Sequence, residues 1–425
     1  MEKAKRKICL ITTWYPTKKN PYKGVFFKDQ AIALAEDFDF TVIHYRERKK
    51  DPILVYAIRS LLGKTYTVRK VNEECNTIEY DVNAHFPGYL IFKNKIYDFY
   101  QKYVKHTSIV GVGEYVSKDY QNRKRKMLAK IFQTHFANDV DVFYCVNAQA
   151  ESFTLQCVAE ALNKPYVVAE HAPFPWPGDW LRDVQKKAIE QADLFMAISY
   201  DKIRQVLLQN VKPKKIGYVG NLVDESKFVL ADACNEKKTF LIVAAHSFYK
   251  NYDLFIEVFN RLKEITTLPF KVMIVGYGSN KGYSKNVNEL EEKIQNSKFA
   301  EHAEMIPEVS HDKIQEVYGR ADAFVMTSIQ EGLPVSALEA GCCGLPIFST
   351  MCGGVEDYVN DEVGRIYKML DSESFANGLK DYLEGKITFD SQYIREHIVE
   401  RYGKQAFTNR MATYFNEVIE SYETK

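Results

Sequence analysis

Along almost its whole length the chain alternates short apolar runs with helix-patterned segments, and this alternation limits the fold more than any other feature. It opens with the apolar run Ile8 to Thr12, a loop holding Pro16, Pro21 and Gly24, a helical pattern from Phe26 to Glu36 and a second apolar run, Phe40 to His44. The order returns in "DVFYCV", "AESFTLQCVAEAL" and "PYVVAEH", and again in "ADLFMAIS", residues 200–209 and "KIGYVGN". Strand–helix–strand units of this kind build parallel sheets. Their strands are near-continuous apolar runs, so both faces of each sheet are expected to be buried.

Between residues 224 and 238 the sequence turns polar, "DESKFVLADACNEKK", and a linker is expected there. Beyond it the alternation restarts with "TFLIVAA", "NYDLFIEVFNRLKEI", "FKVMIVGYG" and "NVNELEEKIQNS", and continues through "AEMIP", "SHDKIQEVYGRA", "DAFVMTS" and "LPIFST". One continuous sheet would need more than roughly ten strands, which is uncommon. The expected fold class is therefore α/β, with two doubly wound Rossmann-like domains facing a central cleft. The first covers residues 1–223 and is rejoined by a C-terminal helix at about 400–425; the second covers 239–399. A length of 425 residues suits that division.

A formal net charge of +1 gives no reason to expect a polyanionic partner such as nucleic acid. The eight cysteines form no C-x-x-C pair and no disulfide framework, which suits a reducing cytoplasm. The basic start, Met1 to Lys7, precedes an apolar run too short for a signal-peptide core, and no apolar run approaches the ~20 residues needed to span a membrane.

The stretch "SIQEGLPVSALEAGCCGLPIFST" (328–350) carries two glutamates, Glu331 and Glu339, the second in an apolar and small-residue run. Pro334 suits the first turn of a helix, so "IQEG" is a loop at the carboxyl end of a parallel strand, where open α/β sheets bind ligands. The N–H groups of Gly332, Leu333 and Val335 then lie where a helix N-terminus can hold a phosphate. Glu339 follows about one and a half turns later, ~8 Å of helix rise. Two carboxylates with an anion site between them suit a nucleoside diphosphate sugar, whose ribose hydroxyls can donate to Glu339. Taken alone, the same pattern also fits a solvated Glu331 and a Glu339 paired with a basic neighbour.

The wider context resolves this. "EGLPVSALEAGCCGLPIFST", followed by "GGVEDYV", resembles the E-x7-E region of the family 4 retaining glycosyltransferases, which have the GT-B fold. "KICLITTWYPTKKNPYKGVFFKDQAIALA", "KPYVVAEHAPF", "ADLFMAIS", "YVGNLVDESKF", "IVGYG" and "YGRADAFVMTS" resemble further family elements in the same order, so the resemblance runs through most of the chain. It implies that Glu331 contacts the donor sugar, that Glu339 binds the ribose and that Lys250 neutralises the diphosphate. His171, at the end of "PYVVAEH", would contact the donor sugar or shape the acceptor side. Pro334 and the backbone from Gly332 to Val335 would complete the donor site. Three places depart from the family pattern. Its arginine falls at Ala245 or His246, its glycine after the lysine is Asn251, and its pair of glycines in the first loop is reduced to Gly24. His246 and Asn251 are retained as donor-site candidates, and so is Gly24.

Two Asp-x-Asp pairs, Asp37–Asp39 and Asp139–Asp141, precede strands and read as turn and capping residues. No metal or other cofactor is expected beyond the UDP- or GDP-linked co-substrate. From Lys93 to Lys130 ten basic and three acidic residues are interleaved with aromatics. That stretch can lie on an anionic membrane face or be a surface helix whose aromatic stripe packs inward. The resulting expectation is a bacterial-type cytoplasmic enzyme, peripheral at the inner membrane face if its acceptor is lipid-linked. It would move a sugar with retention onto a lipid-linked or cell-surface glycan. Its alternatives are a catalytically silent GT-B subunit and a nucleotide-sugar epimerase.

Overall fold

The structure is a computed structural model describing residues 4–17, 24–74, 76–90, 117–137, 140–174, 180–231, 236–278, 287–310 and 312–424. The chain divides into two compact units, residues 1–219 with 408–425, and residues 220–407.

Unit 1 is built on an eight-stranded sheet. Its strands are β1 (Arg6–Thr12), β2 (Phe38–Asp51), β3 (Tyr66–Glu74), β4 (Thr77–Pro87), β5 (Val142–Cys145), β6 (Tyr166–Glu170), β7 (Leu194–Ala197) and β8 (Ile216–Tyr218). They lie in the order β3-β4-β2-β1-β5-β6-β7-β8, and only β3 runs antiparallel. In β1 the run Ile8 to Ile11 is buried throughout, as strands covered on both faces require. The chain moves outward from β1 to β2 in one direction and from β5 to β6 in the other. With right-handed crossovers, helix Val25–Leu34 and helix Ala148–Leu162 therefore cover opposite faces. Sequence patterning foresaw β1, β5, β6, β7 and β8. It ended β2 too early at His44 and passed over the β3–β4 hairpin altogether.

The C-terminal helix Lys404–Glu423 completes unit 1 through its later turns. Phe415 stands edge-on to Phe38 and Tyr144, at centroid distances of 5.8 and 5.4 Å. Tyr414 fills the space above Gly217, where a Cβ would come within 2.7 Å of its ring. Arg6 pairs with Glu423 and Lys215 with Glu417.

Helix Lys118–His135 carries the described part of the basic, aromatic stretch. Tyr120, Lys124, Met127, Leu128, Ile131 and Phe132 are buried. Lys124 is no surface cation: it is 1% exposed, reaches Glu47 Oε1 at 3.0 Å and lies among the rings of Tyr45, Tyr120 and Phe153. Arg123 pairs with Asp119 and Arg125 with Glu160. The expected membrane face over 93–130 is thus corrected for its described portion: the aromatic stripe packs on the core. Residues 93–116 of that expectation lie outside the described residues, as does Asp139.

Unit 2 holds a six-stranded, all-parallel sheet: β9 (Lys238–Val243), β10 (Phe270–Val275), β11 (Ala303–Ile306), β12 (Ala323–Met326), β13 (Ile347–Thr350) and β14 (Gly364–Tyr367). The order β11-β10-β9-β12-β13-β14 is the dinucleotide-fold order, with its reversal between β9 and β12. Residues 224–231, expected as part of a linker, run within this unit. Arg395 donates to the carbonyls of Glu225 and Phe228, and Ala231 N–H donates to Cys343 O at 3.0 Å.

Candidate functional site

The point where strand order reverses in an open α/β sheet leaves a crevice at the strands' carboxyl ends. In unit 2 the chain leaving β9 and the chain leaving β12 meet there. After β9 a short 3-10 turn, Phe248–Lys250, carries Lys250. After β12 the loop is tied back to that turn: Ile329 N–H donates to Tyr249 O at 2.7 Å, and Thr327 Oγ1 donates to the carbonyls of Lys250 and Asn251. The result is an ion pair at the crevice, Lys250 Nζ to Glu331 Oε1 at 2.6 Å. Ser328 Oγ donates to the same carboxylate oxygen at 2.7 Å, and Glu331 N–H donates to Cys352 O at 2.7 Å. Both charged side chains remain partly exposed, 24% for Lys250 and 14% for Glu331, so a ligand can reach them.

Helix Val335–Cys342 begins beside this pair. Its N-cap is Pro334, which offers no side-chain cap. The next N–H groups to be satisfied inside the helix are those of Ala337 and Leu338, both donating to Pro334 O at 3.2 Å. The positive end of the helix, with the N–H groups of Val335 and Ser336, is therefore a place for an anion. The loop before it is held from two sides. Asn221, 2% exposed, donates through Nδ2 to Leu333 O at 2.8 Å. Gly354 stands so close to Gly332 that a Cβ would meet its carbonyl oxygen at 2.2 Å. One turn into the helix, Glu339 Oε2 accepts from the Tyr318 hydroxyl at 2.7 Å. Burial, with the Glu339 carboxylate second, raises the Tyr318 pKa and keeps that hydroxyl a donor. A neutral phenol thus partners Glu339, where a basic neighbour was one expectation.

Asn251 and His246 behave differently from cationic or phosphate-binding groups. Asn251 has φ 49° and caps helix Tyr252–Ile265, its Oδ1 accepting from Leu254 N–H. It therefore occupies the left-handed conformation a glycine would favour at the same place. His246 is half-buried, edge-on to Tyr252 at 5.5 Å, and burial pushes its pKa below the ordinary histidine value. At neutral pH it supplies no positive charge of the kind an arginine would. It lines a cavity of about 120 Å³ with Ser247, Phe248, Asn251, Tyr252, Asp253, Glu289, Leu290 and Lys293.

Unit 1 brings a second group of candidates to its own reversal point, between β1 and β5. His171 follows β6 and packs edge-on against Phe27, 4.7 Å between centroids, with Phe26 at 5.9 Å. Gly24, at φ 69°, opens the helix that carries both phenylalanines, and its carbonyl accepts from Phe27 N–H at 3.0 Å. A Cβ at Gly24 would lie 2.7 Å from Trp14 O, so only glycine lets residue 24 sit this close to the Trp14 backbone. Glu170 turns from His171 toward helix Ala148–Leu162, as strand alternation expects, but it is fully buried there. It accepts from the N–H groups of Gln149 (3.0 Å) and Ala172 (2.7 Å). Glu151, also buried, accepts from Thr13 N–H, Thr13 Oγ1 and Asn147 N–H. Burial pushes its carboxyl up to about 8. Lys202 reaches Gln205 Oε1 at 2.9 Å, and burial pulls its pKa down while it raises that of Glu170. This buried set was not singled out from sequence; charged residues inside apolar helices and strand ends were its only signal.

The sequence candidates therefore fall into two groups. Lys250, Glu331, Glu339, Pro334 and the backbone from Gly332 to Val335 share one crevice in unit 2, with Asn251 and His246 on the turn beside it. His171 and Gly24 belong to unit 1. Ser328 and Tyr318 were missed as supporting residues. Of the Asp-x-Asp pairs, Asp141 accepts from Lys7 N–H at 2.8 Å, a backbone-tying role.

Residues 224–405 match the model of the family described as glycosyl transferases group 1. The putative teichuronic acid biosynthesis glycosyltransferase TuaC of Bacillus subtilis is 22% identical over 400 residues, covering 88% of this chain and 89% of that protein. The gpi3 subunit of the Schizosaccharomyces pombe phosphatidylinositol N-acetylglucosaminyltransferase is 27% identical over 188 residues, 43% of this chain and only 40% of the relative's length. Among solved structures, Anabaena HepE in complex with UDP-glucose superposes with a TM-score of 0.65 at 15% identity, covering 97% of this chain and 99% of that one. At that identity the likeness gives the fold, which is GT-B.

Proposed function

From a GT-B chain whose residues 224–405 match the glycosyl transferases group 1 model, we infer a sugar transferase that takes a nucleotide-linked donor and a hydroxyl acceptor. The observation carrying this reading is the Lys250–Glu331 pair at the reversal point of a dinucleotide-fold sheet, beside an uncapped helix N-terminus. A diphosphate entering there finds an ammonium and free N–H groups. As Lys250 moves to the phosphates, Glu331 is released to accept from a sugar hydroxyl. Glu339 takes the ribose hydroxyls one turn on. UDP is the favoured nucleotide, supported by the UDP-glucose complex of HepE; GDP is the alternative.

Unit 2 thus binds the donor, and unit 1, with His171, the acceptor. The transfer retains the anomeric configuration: the leaving phosphate takes the acceptor proton on the face it departs from, while Lys250 and the helix N-terminus stabilise its charge. These groups supply the positive field without a metal. The acceptor is a membrane-borne or cell-surface glycan intermediate, a reading supported by the assignment of TuaC to teichuronic acid biosynthesis.

Incubation with UDP- and GDP-sugars in EDTA, with the product anomer read by NMR, tests this. Retained product formed in EDTA is expected; an inverted product or an absolute need for Mn²⁺ would overturn the corresponding part. Glu339→Gln should raise the donor KM about tenfold with kcat nearly kept, since ribose contacts are equal in ground and transition states. The neutral His246 in the arginine's place favours one rival, a subunit that binds donor without turnover. Donor binding with neither transfer nor donor hydrolysis would establish it.

A further inference from the structure

Surface helices normally turn their apolar stripe to the core. Helix Ile53–Leu61 of unit 1 does the opposite, and it buries no residue. Ile53, Leu54, Ile58, Leu61 and the following Leu62 are 62, 78, 57, 86 and 62% exposed. At 3.6 residues per turn, positions 53, 54, 57, 58, 61 and 62 fill one half of the helix circumference. The other half carries Tyr56 and Arg59, both partly buried, and Arg59 is held by Asp51 at 2.9 Å. A nine-residue helix is too short to persist on propensity alone. The fold therefore anchors the polar side of a short helix and presents its aliphatic side outward.

The charge around this face is one-sided. From Arg46 to Lys70 the sequence holds eight basic and two acidic residues. The two acids are engaged: Glu47 by Tyr120 and Lys124, Asp51 by Arg59 and His85. Arg48, Lys64, Arg69 and Lys70 are exposed, the last beside Glu73. A second copy docking face to face would bring this basic rim against itself. An anionic lipid surface meets both the leucines and the rim. At about 14 Å the helix cannot cross a bilayer core of ~30 Å, and no helix among the described residues is long and apolar enough to do so. It can only lie in the headgroup plane.

We propose that helix Ile53–Leu61 docks unit 1 on an anionic membrane surface. Strands β1 and β2 are parallel and in register to Thr12 and His44, and β2 continues to Asp51 at the helix start. The docking helix therefore lies beyond the same carboxyl end of the sheet that carries Gly24 and His171, seven residues of β2 farther out. On the sugar-transfer reading, that geometry offers the acceptor side of unit 1 to a lipid-borne acceptor.

Sedimentation of the full chain with phosphatidylcholine vesicles, with and without phosphatidylglycerol, tests the docking. Binding to the anionic vesicles alone is expected, with at least a fivefold loss in 0.5 M salt. Replacing Leu54, Ile58 and Leu61 by Ser together should cut partition more than tenfold. Lys64→Glu with Arg69→Glu should cut it to a similar degree, each charge being worth roughly fivefold. All five positions are exposed, so an unchanged unfolding midpoint and unchanged UDP binding check the fold. Wild-type protein that ignores anionic vesicles, or a triple variant that binds as well as wild type, overturns the proposal. A dimer in light scattering that the triple variant abolishes would reassign the face to a second copy. Vesicle binding without any sugar transfer would leave the docking standing and sink the sugar-transfer reading instead.

Discussion

Gly354 is held at φ 74° with no room for a side chain above the Gly332 carbonyl. Gly354→Ala adds left-handed strain and overpacking and should cost about 2–4 kcal/mol. Because the atom displaced belongs to the loop ahead of helix Val335–Cys342, UDP affinity should fall with it. Urea unfolding and nucleotide titration measure the two effects, and an intact affinity would show that the loop is set elsewhere. Glu151 makes a pH prediction. Its carboxyl is raised by burial to about 8, against an ordinary 4.5. A raised carboxyl contributes stability below the unfolded value and loses it as pH climbs toward the folded one. Glu151→Gln mimics the protonated acid and does not titrate. It should gain on wild type between about pH 5 and pH 8, by up to ~1.4 kcal/mol per pH unit. Unfolding curves at both ends check it; a difference independent of pH would mean that Glu151 is ionised throughout. At this scale Lys250, Glu331 and Glu339 were legible through their spacing and context. The contacts of Asn221 with Leu333 and of Gly354 with Gly332 were not, because each meets backbone far away in sequence, and no local pattern records such a meeting.

Helix Tyr252–Ile265 starts at a residue in the left-handed region, Asn251, which also caps it. Asn251→Gly keeps the backbone conformation and loses the cap, so a change within several tenths of a kcal/mol is expected. Asn251→Ala loses the cap and adds the left-handed penalty, for about 2 kcal/mol. Thermal unfolding of the pair distinguishes the two costs, and equal losses would refute the conformational account. Strands β9, β10, β12 and β13 of unit 2 could be read from sequence because each is a short apolar run with most of its residues buried. The β3–β4 hairpin could not. Its outer strand, "YTVRKVNEE", lies at the sheet edge and is largely exposed, so it carries no such run. Helix Ile53–Leu61 was missed for the opposite reason: its apolar residues look like a core element and face outward.

At the scale of the molecule, donor binding should protect one unit only. UDP at about 100 times its Kd adds ~2.7 kcal/mol to whatever opening exposes its site. Amide exchange should slow in β9, β12 and helix Val335–Cys342 and stay unchanged in β3 and β4; uniform slowing would reject confinement of the donor site to unit 2. The overall α/β class was legible because alternation persists across the chain, and by its contacts the chain divides into two units. The C-terminal helix shows what that division entails. Unit 2 is one unbroken stretch, but unit 1 needs Phe415 and its neighbours, which are translated after unit 2. At ~5–20 residues per second, about 10–40 s separate the emergence of Val219 from that of the closing helix. For that interval Phe38 and Tyr144 lack their partner. Unit 1, begun first, is thus closed only after unit 2 has been made, and a chaperone able to shield that one apolar seam would act on nascent chains whose second unit is still being synthesised.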